Sequence, residues 1–136
     1  VDDCKKFVER EIRRGHHYDA IIMDPPSYGR GPKGEIWKIE EAVFPLIELC
    51  SQLLTERPLF FLVNSYTTGL QPAVLRYMIA TALKKYGGTV DRSSGNGQRP
   101  GAALWSQREI YRGDLRPSEN RTLLSDVGRF ARLYLL

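Results

Sequence analysis

Over the first 86 residues the apolar positions fall into two alternating rhythms. Cys4, Phe7, Val8 and Ile12 recur at helical spacing on one face, and Lys5, Lys6, Glu9, Arg10, Arg13 and Arg14 fill the remainder. Asp2 or Asp3 can cap this helix, and Gly15 can stop it. The run from Tyr18 to Met23 is nearly all apolar, without alternation, which is the pattern of a short strand buried on both faces. Asp24-Pro25-Pro26 ends it, because neither proline can donate to a sheet ladder. Ser27 to Lys38, with glycines at 29, 31 and 34, reads as a loop.

A second amphipathic helix is predicted from Ala42 to about Leu54, on Val43, Leu46, Ile47, Cys50, Leu53 and Leu54. Pro45 sets its regular start, with an irregular entry from Ile39. Leu59 to Val63 repeats the buried-strand pattern, and Asn64 to Gly69 follows as a polar loop. Pro72 suits a helix first turn, Val74, Leu75, Met78, Ile79, Ala82 and Leu83 continue as one stripe, and Gly87-Gly88 ends it. Buried strands alternating with amphipathic helices imply an α/β fold with a mostly parallel sheet and helices on its faces. Two strands alone do not make a stable sheet, so others must join them.

Residues 87–136 are less regular and read as a closing segment. Thr89-Val90, Ala102 to Trp105 and Ile110-Tyr111 are short strand candidates, separated by the Gly/Ser/Asn/Pro-rich stretch 93–101. Leu115 to Asn120 is turn-rich, and 123–136 suits a short helix or a final strand. From Asp91 onward there are eight arginines, five acids and no lysine, whereas all six lysines lie before residue 86. This shift suggests a divergent or frame-shifted segment after about Arg92.

Composition narrows the class. At 136 residues, 42% hydrophobic and 26% charged, the chain has the make-up of one globular domain or a piece of one. Two cysteines exclude a disulfide scaffold and a four-cysteine zinc site, and fit a reducing cytoplasm. Cys4 and Cys50 sit on apolar helix faces, as core residues do. The longest apolar run is far too short to span a membrane. A net charge of +4 is compatible with a nucleic-acid partner. The chain begins at Val1 directly on the first helix, as expected of a piece cut from a larger protein.

Chemistry concentrates after the first strand. In an open parallel sheet, ligands sit beyond the carboxyl ends of the strands, which places Asp24 at the mouth of a site. Two prolines stiffen the backbone that follows, so a carboxylate and neighbouring carbonyls can be aimed at an amine or a cofactor edge. A solvated aspartate at a plain turn is the simpler alternative. His16 and His17 precede the strand, at the opposite end, and read as surface residues rather than metal ligands.

The stretch YDAIIMDPPSYG, residues 18–29, resembles motif IV of class I S-adenosylmethionine-dependent methyltransferases. Its continuation GRGPKGEIWKIEE is similar to the branch of bacterial large-subunit ribosomal RNA methyltransferases carrying a DPP-Ser/Lys-Phe/Tyr motif. The resemblance covers roughly residues 1–86. It implies a partial Rossmann-like methyltransferase fold, with this chain as the C-terminal part of the catalytic domain. It implies S-adenosylmethionine as cofactor, RNA as partner and a methyl transfer by in-line displacement from the sulfonium. Asp24, Pro25, Pro26 and Ser27 would orient acceptor and cofactor, Asp3 (or Asp2) would face the adenine amino group, and either aspartate could equally be a plain helix cap. Tyr28 would stack on a nucleobase. Asn64, Ser65 and Tyr66 occupy the motif VI position, where cytosine-C5 enzymes carry a nucleophilic cysteine. None stands here, so a cysteine-nucleophile route is disfavoured.

Arg30, Lys33 and Lys38, interleaved with Tyr28 and Trp37, suit a nucleic-acid contact or a solvated loop. The glycine-rich turn that cradles the cofactor in this family has no counterpart here, and Gly95-Asn96-Gly97 does not replace it. The chain by itself is therefore expected to bind the cofactor weakly or not at all. A methyltransferase acting on a small molecule or protein, and a non-catalytic RNA-binding module on the same fold, remain alternatives.

Overall fold

A computed structural model describes residues 4–31, 34–65, 67, 69–93, 101–106 and 130–134; of 92, 93, 101, 102 and 130–134 it describes the backbone alone. The elements run α1 (Cys4–Arg13), β1 (Ala20–Asp24), β2 (Tyr28–Arg30), β3 (Ile36–Lys38), α2 (Ile39–Ser51), β4 (Phe60–Ser65), α3 (Pro72–Ala82), β5 (Thr89–Ser93), β6 (Gly101–Ser106) and β7 (Phe130–Tyr134). Five strands form one sheet in the order β5-β6-β4-β1-β7. β1 pairs in parallel with β4 on one side and with β7 on the other. β6 is antiparallel to both β4 and β5, so four of the five strands point the same way.

The alternation that strands impose decides the core. Ile21, Met23, Phe61, Val63, Ala103 and Trp105 share one sheet face and are buried with Val8, Val43, Ile47, Leu75 and Ile79 of the helices. Among the described helices, α2 packs between α1 and α3. On the other face Ile22, Leu62 and Leu104 stand in one row across three strands and are half-buried. The continuous apolar runs read from the sequence therefore serve both faces, one completely and one in part.

Several boundaries differ from the sequence expectation. The stretch 27–38 is not a plain loop, because Tyr28–Arg30 and Ile36–Lys38 pair as an antiparallel hairpin. Its turn is closed by Gly31 N–H to the Glu35 carbonyl at 2.8 Å and by Gly34, whose φ of 85° suits glycine. The hairpin delivers the chain directly into α2, which starts at Ile39 rather than at Ala42 or Pro45. Glu40 and Glu41 lie in its first turn, where acids complement the helix dipole. Pro45 sits inside this helix on an exposed position, so the bond its missing N–H forfeits lies on the solvent side. β4 extends through Asn64 and Ser65, which the sequence places in the following loop.

In the tail, Thr89–Ser93 pairs with Gly101–Ser106, which in turn pairs with β4. This counts against a shifted frame as far as Ser106. Residues 130–134 resolve the helix-or-strand alternative as a strand, while Ile110-Tyr111 and 115–120 lie outside the described residues. Gly88 ends α3's connection at φ 81°, where a Cβ would meet the Ser106 carbonyl at 2.5 Å. Only glycine permits that approach of the β5 entry to β6.

Candidate functional site at the carboxyl ends of the strands

β1 and β4 are parallel and adjacent, with Met23 opposite Val63. Their next residues, Asp24 and Asn64, therefore end neighbouring strands at the same edge of the sheet. Both are half-buried. Among the described residues nothing hydrogen-bonds to the Asp24 carboxylate. Ser65 is buried, and its hydroxyl accepts the Thr67 N–H at 3.3 Å.

The Pro25-Pro26-Ser27 turn is held from three elements. The Trp37 indole N–H donates to the Pro26 carbonyl at 2.7 Å. The Ile39 N–H, opening α2, donates to the Ser27 carbonyl at 3.1 Å. The Thr67 hydroxyl, from the loop after β4, donates to the Ser27 hydroxyl at 2.5 Å. Pro25 itself is buried. The backbone after Asp24 is thus pinned by the hairpin, by α2 and by the β4 loop, and side chains so supported present their functional groups with little reorganisation.

The hairpin sorts its residues by face. Gly29 and Trp37 pair inward, where Trp37 packs against the core. Tyr28, Arg30, Ile36 and Lys38 point outward and are exposed, Tyr28 at 53% and Ile36 at 59%. Arg30 Nε donates to the Tyr28 hydroxyl at 3.1 Å, and Lys38 pairs with Glu41 at 3.1 Å. Trp37 is therefore not part of an outward nucleic-acid surface, as the sequence suggested; it is a support for the turn. Tyr28, Arg30 and Lys38 do share an outward face beside it. Asp2, Asp3, Lys33 and Tyr66 lie outside the described residues.

The sequence reading misassigned one contributor, Trp37, and missed two, Thr67 and Glu40. Trp37 carried a signal, since its alternation with Ile36 and Lys38 marks an inward position once the segment is known to be a strand. Thr67 acts through a partner 40 residues away, which spacing cannot reveal. Glu40 lies against Gly69, where a Cβ would approach its Oε1 to 3.3 Å. Cys4 and Cys50 are buried in the core, and burial pushes the Cys50 thiol far up, so it holds its proton and is inert as a nucleophile. Among the described residues no group of three or more His, Cys, Asp or Glu is placed to hold a metal.

No family model matches the chain, and no curated protein matches it. Solved structures do. The S-adenosylmethionine-dependent methyltransferase from Agrobacterium tumefaciens matches with a TM-score of 0.68 at 24% identity, over 78% of this chain and 38% of that one. SMU.776, a proposed methyltransferase complexed with S-adenosylhomocysteine, matches with a TM-score of 0.60 at 19% identity, over 77% of this chain and 30% of that one. The chain thus spans well under half the length of each of these two proteins. At these identities the likeness establishes the fold alone: this is part of an α/β, Rossmann-like fold of the kind these two proteins have.

Proposed function

We propose that this chain forms the acceptor-side part of an S-adenosylmethionine-dependent methyltransferase whose substrate is RNA, ribosomal RNA being the class its motif resembles. The observation that carries this reading is Asp24. Its carboxylate is unengaged by described residues, at the carboxyl end of a central parallel strand, on a turn clamped by Trp37, Ile39 and Thr67. That edge of the sheet is where open α/β folds bind ligands. A carboxylate oxygen there accepts hydrogen bonds from an amine and holds its lone pair in one direction, and positioning of this kind supplies most of what a displacement reaction needs.

The residues present fit the cofactor's reacting end. Asp24 offers acceptors and Asn64 both donors and an acceptor. The bound cofactor would supply an electrophilic methyl group on a sulfonium. Asp24, with the Pro25-Pro26 backbone, then orients the acceptor; Ser27 and Asn64 line the same mouth; Ser65 braces the β4 loop; Tyr66, next in sequence, would face the acceptor. Tyr28 offers an aromatic face for an unstacked base, and Arg30, Lys33 and Lys38 supply charge for phosphates. Asp3 or Asp2 would select the adenine of the cofactor. With both cysteines buried, the transfer proceeds without a cysteine adduct, to a nitrogen or oxygen acceptor.

The test uses the full-length natural protein with S-adenosylmethionine carrying a labelled methyl group. Transfer to RNA that disappears in Asp24→Ala supports the reading. Transfer only to small molecules or proteins moves the substrate class and keeps the enzyme. RNA binding that weakens steeply with salt, with no transfer to any acceptor, replaces it with a binding module.

A further inference from the structure

Among the described residues four large apolar side chains stand exposed, and two of them, Tyr28 and Ile36, sit on the β2–β3 hairpin; the others, Val74 and Tyr77, are on α3. A lone exposed isoleucine is ordinary on a protein surface. Ile36 is not alone. It faces Arg30 across the ladder and stands diagonally from Tyr28, within reach of its ring, so the two share one outward patch. Folding does not call for that patch. The hairpin is anchored through its inner face by Trp37, whose indole N–H holds the Pro26 carbonyl, and Ile36 takes no part in the buried cluster. The Arg30 Nε–H donates to the Tyr28 hydroxyl at 3.1 Å, which engages the polar end of that side chain and leaves the ring to meet a ligand. The patch is also tied to the mouth. Tyr28 follows Asp24 by four residues, at most about 14 Å of chain, and the turn between them is the one clamped by Trp37 and Ile39.

We infer that Ile36, with the Tyr28 ring, packs against an unpaired base that adjoins the acceptor nucleotide and so sets the register of the RNA strand at the mouth. The inference rests on the RNA reading above and deepens it, naming an unpaired flank as the feature recognised. Charge does not single this face out: from 28 to 41 the cations Arg30, Lys33 and Lys38 are matched by the acids Glu35, Glu40 and Glu41, and Lys38 pairs with Glu41. What the face offers is apolar area beside an aromatic ring. A protein partner needs about 800 Å² on each side, more than two side chains supply. A single base needs only a flat apolar surface to stack on. In a duplex that base face is covered by its neighbours, so the patch favours an unpaired strand. Stacking of this kind tolerates any base, so it contributes affinity and register rather than base identity.

The experiment measures binding of two fluorescein-labelled strands of about a dozen units to the full-length protein by anisotropy, over a salt series: an oligouridylate, and a ribose-phosphate strand without bases. The variant is Ile36→Ser, at an exposed position, with its Tm checked against the parent and Ile36→Leu as the conservative companion. Ile36→Ser should weaken oligouridylate binding about fivefold or more, keep the base-free strand within about twofold, and keep the salt slope, because no phosphate contact is removed. Ile36→Leu should bind as the parent does. In the labelled-methyl assay Ile36→Ser should raise the RNA KM by a similar factor with kcat little changed. An unchanged oligouridylate affinity overturns the inference. So does an equal loss with the base-free strand, or a salt slope shallower by about 0.7, which marks a lost phosphate contact. Self-association of the parent that disappears in Ile36→Ser, with RNA affinity kept, overturns it in favour of a second copy on this face. Methyl transfer to RNA with the same KM in parent and Ile36→Ser overturns the inference and leaves the RNA reading intact. Ile36-dependent oligouridylate binding by a parent that transfers no methyl group ends the transferase reading and leaves this contact standing. A parent that binds neither strand and methylates no RNA ends both.

Discussion

The two ends of the central sheet treat their polar groups in opposite ways. At the amino ends, among the described residues, Glu11, Tyr18, Asp19 and Thr55 are each answered by another side chain. The buried Glu11 carboxylate accepts from the Tyr18 hydroxyl at 2.7 Å, pairs with His16 Nδ1 at 2.8 Å and accepts from Arg14 at 3.0 Å. These bonds, the Tyr18 bond first, hold its carboxyl down at about 2 against the partial burial that opposes them. The Thr55 hydroxyl donates to Asp19 at 2.9 Å, and Tyr18 exchanges backbone bonds with Leu53 and Thr55 of the α2–β4 connection. At the carboxyl ends the supports are engaged and the functional groups are not: Pro26, Ser27 and Thr67 are tied down, while Asp24 is left open. Groups that satisfy one another make structure; groups held in place with their own capacity unspent are the ones available to a ligand.

That contrast can be broken, and the largest effect should come at the open end. Asp24→Asn keeps shape and removes charge. Methyl transfer by the full-length protein should fall by about 10² or more, and stability should move by less than about 0.5 kcal/mol. A Tm drop comparable to a core substitution, with transfer retained, would make Asp24 structural and erase the difference between the ends.

Trp37→Phe comes next. The ring still packs, but the bond to the Pro26 carbonyl is lost. About 1 kcal/mol of stability and about tenfold in kcat are expected, with acceptor KM changed little. An unaltered kcat would mean that the prolines hold the turn without help.

Glu11 sharpens the comparison from the closed end. Its folded value of about 2 lies below its ordinary 4.5, so the unfolded chain takes up its proton first. Its contribution to stability is complete above about pH 4.5 and is lost as pH falls toward about 2. In Glu11→Gln the Tm should fall less steeply than the parent's between those values, and the neutral-pH Tm should be lower. Asp24→Asn should leave that slope unchanged. Thr67→Val should be the mildest change, about two- to threefold in transfer and under about 1 kcal/mol in stability, because only one of the three restraints on the turn is removed. Differential scanning fluorimetry and the labelled-methyl assay read all four variants.

Legibility followed the length of the pattern. α1, β1, β4 and α3 were visible because four or more apolar residues repeat with one period, and burial enforces that period. The hairpin was not, because three residues a strand show only one alternation, and Gly29, Gly31 and Gly34 mimic a loop. The start of α2 was misjudged for a related reason. Pro45 is locally a first-turn residue, yet the hairpin brings the Ile39 N–H to the Ser27 carbonyl and lets the helix begin six residues earlier. Asp24 was legible as a site residue from its place after a buried strand; what supports it was not.

Chain chemistry alone decided that the runs 18–23 and 59–63 would be buried strands, that helices would flank them and that an aspartate would stand where the first strand stops. Those are local consequences of apolar periodicity and of proline's missing donor. Tertiary structure decided which groups would be spent and which kept. It brought Trp37 to Pro26 and Thr67 to Ser27, turned Glu11 onto Tyr18 and His16, and threaded β6 antiparallel between β4 and β5. Each of these joins residues whose separation along the chain carries no period, so only the packed molecule could select them.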